Sequence, residues 1–388
     1  MKKLLLALSL NLAMGVASAD TVKVGLIAPF SGPSAEYGEQ FRRGMHLYLD
    51  QIGGKVGDVT VQIIDRDEEG GAARVKQVAQ ELILQDEVQF LAGLEKTPDA
   101  LALAPLINKS KTPTVILNAA TGVIPRKSPY FARVSFTQFQ GAATLGEWAA
   151  KNGISTVYTA VTDYAPGNDS REAFKTTFTK GGGKIVGETQ MPIATTDFAP
   201  YLQKIKDTKP DAVFMFTPYG AAGVSFIKTF FQMGLGEAGI KLLATGETNE
   251  ADLPAIGNVA EGTVTAFHYS PLQDNAVNRR FVDDYRKKYG ERAVPNFATV
   301  AGYDGMHAIA DVVSQLGANI DGDKAMEILR NWKADSPRGA IFIDPEERDI
   351  IQDIAIRRVQ KMPDGSLANV EFERVEQVKD LWKVMNPQ

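Results

Sequence analysis

The residues able to do chemistry are few, and their spacing does not favour catalysis. Three histidines, His46, His268 and His307, stand too far apart for the H-E-x-x-H or i, i+4 spacing that places two zinc ligands on one helix face. The absence of cysteine removes thiol nucleophiles, disulfides, Cys-ligated metals and a lipid-modified N-terminal Cys together. No G-x-S-x-G elbow occurs, and no spacing of acids or lysines supports a general acid–base pair. Gly234-Leu235-Gly236-Glu237-Ala238-Gly239 spells G-x-G-x-x-G, but a helical stretch precedes it and a strand follows. That is the reverse of the order that cradles a pyrophosphate, so these glycines read as a helix end and a turn. Gly181-Gly182-Gly183-Lys184 is followed by Ile185, where a phosphate loop needs Ser or Thr for magnesium. Neither a cofactor nor a metal is expected.

Binding chemistry is better represented, at the ends of apolar runs. Thr97-Pro98-Asp99 predicts an N-cap hydroxyl at Thr97 ahead of a proline suited to the first helical turn. Helix-start N–H groups there could cradle a carboxylate, although an ordinary cap reads the same way. Asn118-Ala119-Ala120-Thr121-Gly122 closes the run 113–119 with small and hydroxyl residues that allow close backbone approach. Tyr164, Tyr219, Glu247 and Tyr303 end strands or open helices on other segments, offering aromatic walls and an acid. Each alone is as commonly core or surface, and their recurrence at equivalent places is what points to one ligand.

The elements that must position these residues follow from periodicity. TVKVGLIAPF (21–30) reads as a strand, Phe41, Met45, Leu49 and Ile52 line one face of a helix, and VTVQIIDRD (59–67) resumes strand character: a β-α-β unit. Apolar runs at 88–94, 113–119, 130–136, 156–162, 184–190, 211–219, 240–246 and 263–269 alternate with helical stretches. Several are apolar at nearly every position, as strands covered on both faces are. The class is α/β. Helices are expected over 276–289, 297–316 and 324–332, and Pro363-Asp364-Gly365 marks a hairpin in the tail from Asp349. So many units exceed one sheet and suggest two doubly wound lobes holding ligand between them.

At 388 residues the chain can bury a sizeable core, and 44% hydrophobic with 23% charged residues excludes a disordered class. A net charge of −5 without a basic block excludes nucleic acid as a partner. Residues 1–19, MKKLLLALSLNLAMGVASA, carry Lys2 and Lys3, an apolar stretch and Ala17-Ser18-Ala19, the pattern of a cleavable signal peptide. Its removal takes the net charge to −7. An exported chain with no Cys to acylate is expected to be free in a periplasm.

VGLIAPFSGPSAEYGEQFRRGMHLYLDQIGG, LNAAT, DYAPGNDSREAFKTTFTKGGGKIVGE, KPDAVFMF and GYDGMHA occur in order along nearly the whole mature chain. There the sequence resembles the leucine-binding-protein family, the type I periplasmic solute-binding proteins of branched-chain-amino-acid-type ABC transporters. The resemblance implies two Rossmann-like lobes with three hinge crossovers, 20–138 plus 266–345 and 139–265 plus 346–388, closing on one ligand. It implies that Thr97 and the backbone of Asn118, Ala119 and Thr121 hold a ligand carboxylate, that Tyr164 is an aromatic lid, and that Tyr219 and Glu247 face the cleft. Amino-acid binders of the family usually carry G-P-E where this chain has Gly246-Glu247-Thr248, one place early. SPRGAIFIDPEERDIIQDIAIRRVQ (336–360) is similar to the aromatic-acid branch. The expectation is a monomeric, non-enzymatic capture protein for a small carboxylate, an aromatic acid before a branched-chain amino acid, delivering to membrane permease subunits. An exported α/β enzyme or a ligand-sensing domain is the alternative from another class.

Overall fold

A computed structural model describes residues 20–387; the expected signal peptide lies outside them. The chain opens with β1 (Thr21–Ala28), α1 (Ala35–Gln51), β2 (Lys55–Val56), β3 (Val59–Asp67), α2 (Ala72–Leu84), β4 (Phe90–Gly93), α3 (Thr97–Ser110), β5 (Thr114–Ile116) and β6 (Phe131–Arg133). It crosses to α4 (Gln138–Lys151), β7 (Thr156–Thr162), α5 (Ala165–Lys180), β8 (Lys184–Met191), α6 (Ala199–Thr208), β9 (Ala212–Phe216), α7 (Ala221–Gln232), β10 (Lys241–Ala244), α8 (Leu253–Ile256) and β11 (Val264–Phe267). It returns through α9 (Ala276–Tyr289), α10 (Phe297–Leu316), α11 (Gly322–Arg330), β12 (Lys333–Ser336) and β13 (Gly339–Asp344), then ends with β14 (Asp349–Lys361), β15 (Leu367–Val378) and α12 (Leu381–Met385).

The first lobe is built on a sheet of order β2-β3-β1-β4-β5-β6, parallel except at its β2 edge. β1 is buried at six of its eight positions because helices cover both faces, which is why its run lacks alternation. α1 packs so tightly on α10 that a Cβ at Gly44 would stand 1.9 Å from the Thr299 carbonyl oxygen, and one at Gly302 2.1 Å from that of Phe41. In the second lobe, Ala212, Phe214 and Phe216 of β9 enter one hydrophobic cluster while Val213 and Met215 enter another. The strand's period of two thus supplies both faces of a sheet covered by helices.

The hydrophobic core changes hands three times: between Phe136 and Phe139, between Ala266 and Phe267, and between Ile350 and Ile354. The third change falls inside one strand, since β14 pairs with β13 over Asp349–Ile351 and with β11 and β15 farther on. Fully buried Arg338 laces the first and third crossings, donating to the carbonyls of Val134 and Ser135, to Gln352 and to Asp304 Oδ2 at 2.9 Å. Buried Arg357 does the same at the second, with 2.6 Å to the Tyr269 carbonyl and 3.2 Å to that of Thr245. Buried guanidinium groups thus tie all three crossings.

Some local expectations need correction. Only Phe131–Arg133 of the run 130–136 is a strand, because the rest is the first crossing. The helix expected from Lys324 starts at Gly322, where Asp321 caps it by accepting the Lys324 N–H. The β12–β13 hairpin was not anticipated; its sequence is short, mixed and only partly buried. Among the described residues no helix is long and apolar enough to cross a membrane, and no cluster of acids and histidines could hold a metal.

Candidate functional site

A cavity of about 310 Å³ opens between the lobes, at the carboxyl ends of strands from both. Its first-lobe wall carries Glu95, Thr97, Asn118 and Ala120, and its second-lobe wall Gln138, Tyr164, Phe216 and Tyr219. Its volume is at the small end of ligand sites.

The first wall is set by the turn after β4. Leu94 adopts a left-handed φ of 66° and its N–H donates to the Ile27 carbonyl at 2.8 Å, folding Glu95 to Thr97 into the cavity. Thr97 is not the helix cap expected from sequence. Lys96 holds that position, Thr97 is the first helical residue, and its hydroxyl bonds instead to the Thr121 hydroxyl at 2.9 Å. Two hydroxyls bonded to each other use one hydrogen between them, so the other is left to offer.

The loop 118–121 is oriented from behind. Buried Arg133 donates to the carbonyls of Ala119 at 2.8 Å and Thr121 at 2.9 Å while gripping Asp349 through both carboxylate oxygens. The Ala120 carbonyl accepts the Gln138 N–H at 3.1 Å. The N–H groups of Ala120 and Thr121 have no acceptor among the described residues, and Ala120 lines the cavity. The Ala119 N–H is spent on the Leu94 carbonyl, at 2.9 Å, which removes it from the expected donor set.

The second wall is aromatic. Tyr164 stacks on Phe216 with centroids 6.1 Å apart, and Tyr219 meets Phe297 edge-on at 5.0 Å. The Tyr219 hydroxyl is shut from solvent without a hydrogen-bond partner, beside Gln138 and Thr245. Burial raises the pKa of both phenols, so both stay neutral donors.

Four expected residues lie outside the cavity lining: Ala119 and Thr121, on the loop that borders it, and Glu247 and Tyr303, which are committed elsewhere. Glu247 is fully buried outside the cavity lining, and its carboxylate accepts from Thr217 N–H at 3.3 Å and from Thr245 N–H and Oγ1 at 2.8 and 3.2 Å. The shift by one residue from G-P-E turns this acid back into the ends of β9 and β10. Tyr303 packs between Tyr48 and Phe281, its hydroxyl donating to Gln51 at 2.6 Å in the α1–α10 interface. Sequence reading missed Glu95, Gln138 and Phe216, although Glu95 directly follows the run 88–94 and Phe216 lies within the run 211–219.

Burial lifts Glu247 to a pKa of about 7 from 4.5. A raised carboxyl stabilises the fold below the unfolded value, and that contribution is lost as pH rises from about 4.5 through about 7. Replacing Glu247 by Ala strands three buried donors and should cost about 2 kcal/mol or more, remove that pH component, and leave ligand affinity within about threefold. Denaturation midpoints across pH and ligand titration check this; a large affinity loss without a stability loss would return Glu247 to the ligand site.

Two lobes, three crossings and a cleft lined from strand ends define a hinged solute-binding protein. The sequence matches the periplasmic binding protein family over residues 21–366, and the chain belongs to that family: a periplasmic binding protein, not an enzyme. It is 43% identical over 372 residues to Leu/Ile/Val-binding protein homolog 6 of Brucella melitensis, covering 95% of each chain. A solute-binding protein of an ABC transporter from Rhodopseudomonas palustris, solved with 3,4-dihydroxybenzoic acid, is 44% identical with a TM-score of 0.89, covering 94% of this chain and 99% of that one. Another from the same species, solved with 4-hydroxybenzoate, is 40% identical with a TM-score of 0.91, covering 95% and 100%.

Proposed function

We propose that the protein captures an aromatic carboxylate in the interlobe cleft and delivers it to the permease subunits of an ABC importer. The observation that carries this reading is the make-up of the cavity: the Thr97 hydroxyl, backed by Thr121, and the Ala120 N–H for the carboxylate, facing Tyr164, Phe216 and Tyr219 for a ring. Closure of the hinge would sandwich the ring and strengthen each charge-assisted bond by excluding water. The benzoate-type ligands of two structural neighbours support this chemistry. The Leu/Ile/Val names of relatives favour a second reading, an apolar amino acid, whose ammonium would have to meet Glu95, because Glu247 is committed to the strands. In this reading the mature, monomeric protein starts at Asp20 after cleavage of residues 1–19 and carries no lipid, which intact and native masses of the exported protein check.

The deciding experiment is ligand titration of the mature protein with 4-hydroxybenzoate, 3,4-dihydroxybenzoate, leucine and phenylalanine. A hydroxybenzoate at about 100 times its Kd should raise stability by about 2.7 kcal/mol. Tight leucine binding with indifference to both benzoates would overturn the proposal.

A further inference from the structure

Two acceptors in the cavity wall are short of donors. Glu95 Oε2 and Asn118 Oδ1 are both shut from solvent, and neither has a hydrogen-bond donor among the described residues. They are neighbours, because Asn118 Nδ2 donates to the Glu95 carbonyl at 2.8 Å and leaves only the amide oxygen to offer. The other oxygen of Glu95 receives a long 3.4 Å contact from Ser34 Oγ. Lys96 Nζ stands 3.5 Å from Oε2, close enough to balance its charge but outside hydrogen-bond geometry. Fully buried Glu68 lies behind and takes the Glu95 N–H at 3.3 Å, so this end of the cavity is rich in acceptors and poor in donors. Buried acceptors without donors are costly, and a ligand that brings hydrogens relieves that cost.

Resting on the reading that the ligand is an aromatic carboxylate, we propose that Glu95 and Asn118 select for ring hydroxyls. A phenolic O–H donates to Glu95 Oε2, and a second, on a dihydroxylated ring, donates to Asn118 Oδ1. The same pair sets the ligand's direction. A carboxylate against Glu95 would meet a like charge, whereas at Thr97 and Thr121 it meets donors. An unsubstituted or methoxylated ring leaves both acceptors stranded, the arrangement by which a polar site rejects an analogue lacking the hydroxyl.

Calorimetry of the mature protein against benzoate, 4-methoxybenzoate, 4-hydroxybenzoate and 3,4-dihydroxybenzoate, with leucine as a further ligand, tests this. Wild type should prefer 4-hydroxybenzoate to the first two acids by about tenfold or more. Glu95→Gln, which removes the charge from the bond, should cost 4-hydroxybenzoate about tenfold while leaving benzoate within about threefold, and retained benzoate binding certifies the fold. Asn118→Ala should narrow the preference for the dihydroxylated acid over 4-hydroxybenzoate. Equal losses for all acids in Glu95→Gln, or no preference in wild type, overturn the Glu95 assignment while capture of aromatic acids stands. An unchanged ratio in Asn118→Ala overturns the part given to Asn118. Failure of every benzoate together with tight leucine binding overturns the parent reading instead.

Discussion

Replacing Arg133 by Met lowers folding stability by about 3–5 kcal/mol and weakens ligand binding in the molecules that still fold. The guanidinium is fully buried and tied to Asp349 through both carboxylate oxygens. Methionine fills much of the volume but leaves Asp349 facing Lys383 at 3.5 Å as its remaining cation. Asp380 lies in the same cluster, where burial and then the charge of Asp349 lift its pKa to about 7 from 3.8. Without Arg133, Asp380 must ionise in a more negative setting. A carboxyl raised in the fold, as Asp380 is, binds a proton there that the unfolded chain releases, so stability falls as pH rises from about 3.8 through about 7. The cost of Arg133→Met should therefore be larger at pH 8 than at pH 5, which urea midpoints at the two values measure. The effect on binding has a separate origin, because the carbonyls of Ala119 and Thr121 lose the donor that turns them from the cavity. A loss below about 1 kcal/mol, or one equal at both pH values, would mean that the cluster does not hold this loop.

How far the sequence discloses this molecule depends on how local each determinant is. β1, β7 and β9 announce themselves as mostly apolar runs without strict alternation because both their faces are covered, and α9 and α10 match the expected spans 276–289 and 297–316. The β12–β13 hairpin is held by pairing with β14 rather than by its own residues, so no local pattern reveals it. The site behaves likewise. Thr97, Asn118 and Tyr164 are legible because they follow recognisable strands, and the cavity includes them. Glu247 follows a strand equally well, yet one residue of offset directs its carboxylate to Thr217 and Thr245. Side-chain direction at a strand end is fixed by the turn that follows, which spacing alone does not encode. Arg133, Arg338 and Arg357 read as ordinary charges in sequence; only the three crossings make them buried ties.

Removing the hydroxyl of Thr97 as Val should weaken a true aromatic-acid ligand by about tenfold to hundredfold, the worth of a hydrogen bond to a charged group. Thr121→Val should do the same, and the double variant should lose less than the two together. The reason is the 2.9 Å bond between the hydroxyls. Whichever hydroxyl donates to the other lowers the cost of the remaining hydrogen pointing at the ligand, so deleting either disarms its partner, and the second deletion finds little left to remove. Thr121 sits on the loop whose carbonyl is fixed by Arg133, and Thr97 on the first turn of α3, so the pair also joins two segments that must both be in place before a carboxylate arrives. Coupling of this kind between contacting residues is about 0.5–3 kcal/mol, outside the 0.3–0.5 kcal/mol scatter of independent sites. A double-mutant cycle measured by calorimetry resolves it. Strict additivity would show two separate contacts, and no response to either substitution would move the carboxylate away from this wall, with Lys96 as the cation left to hold it.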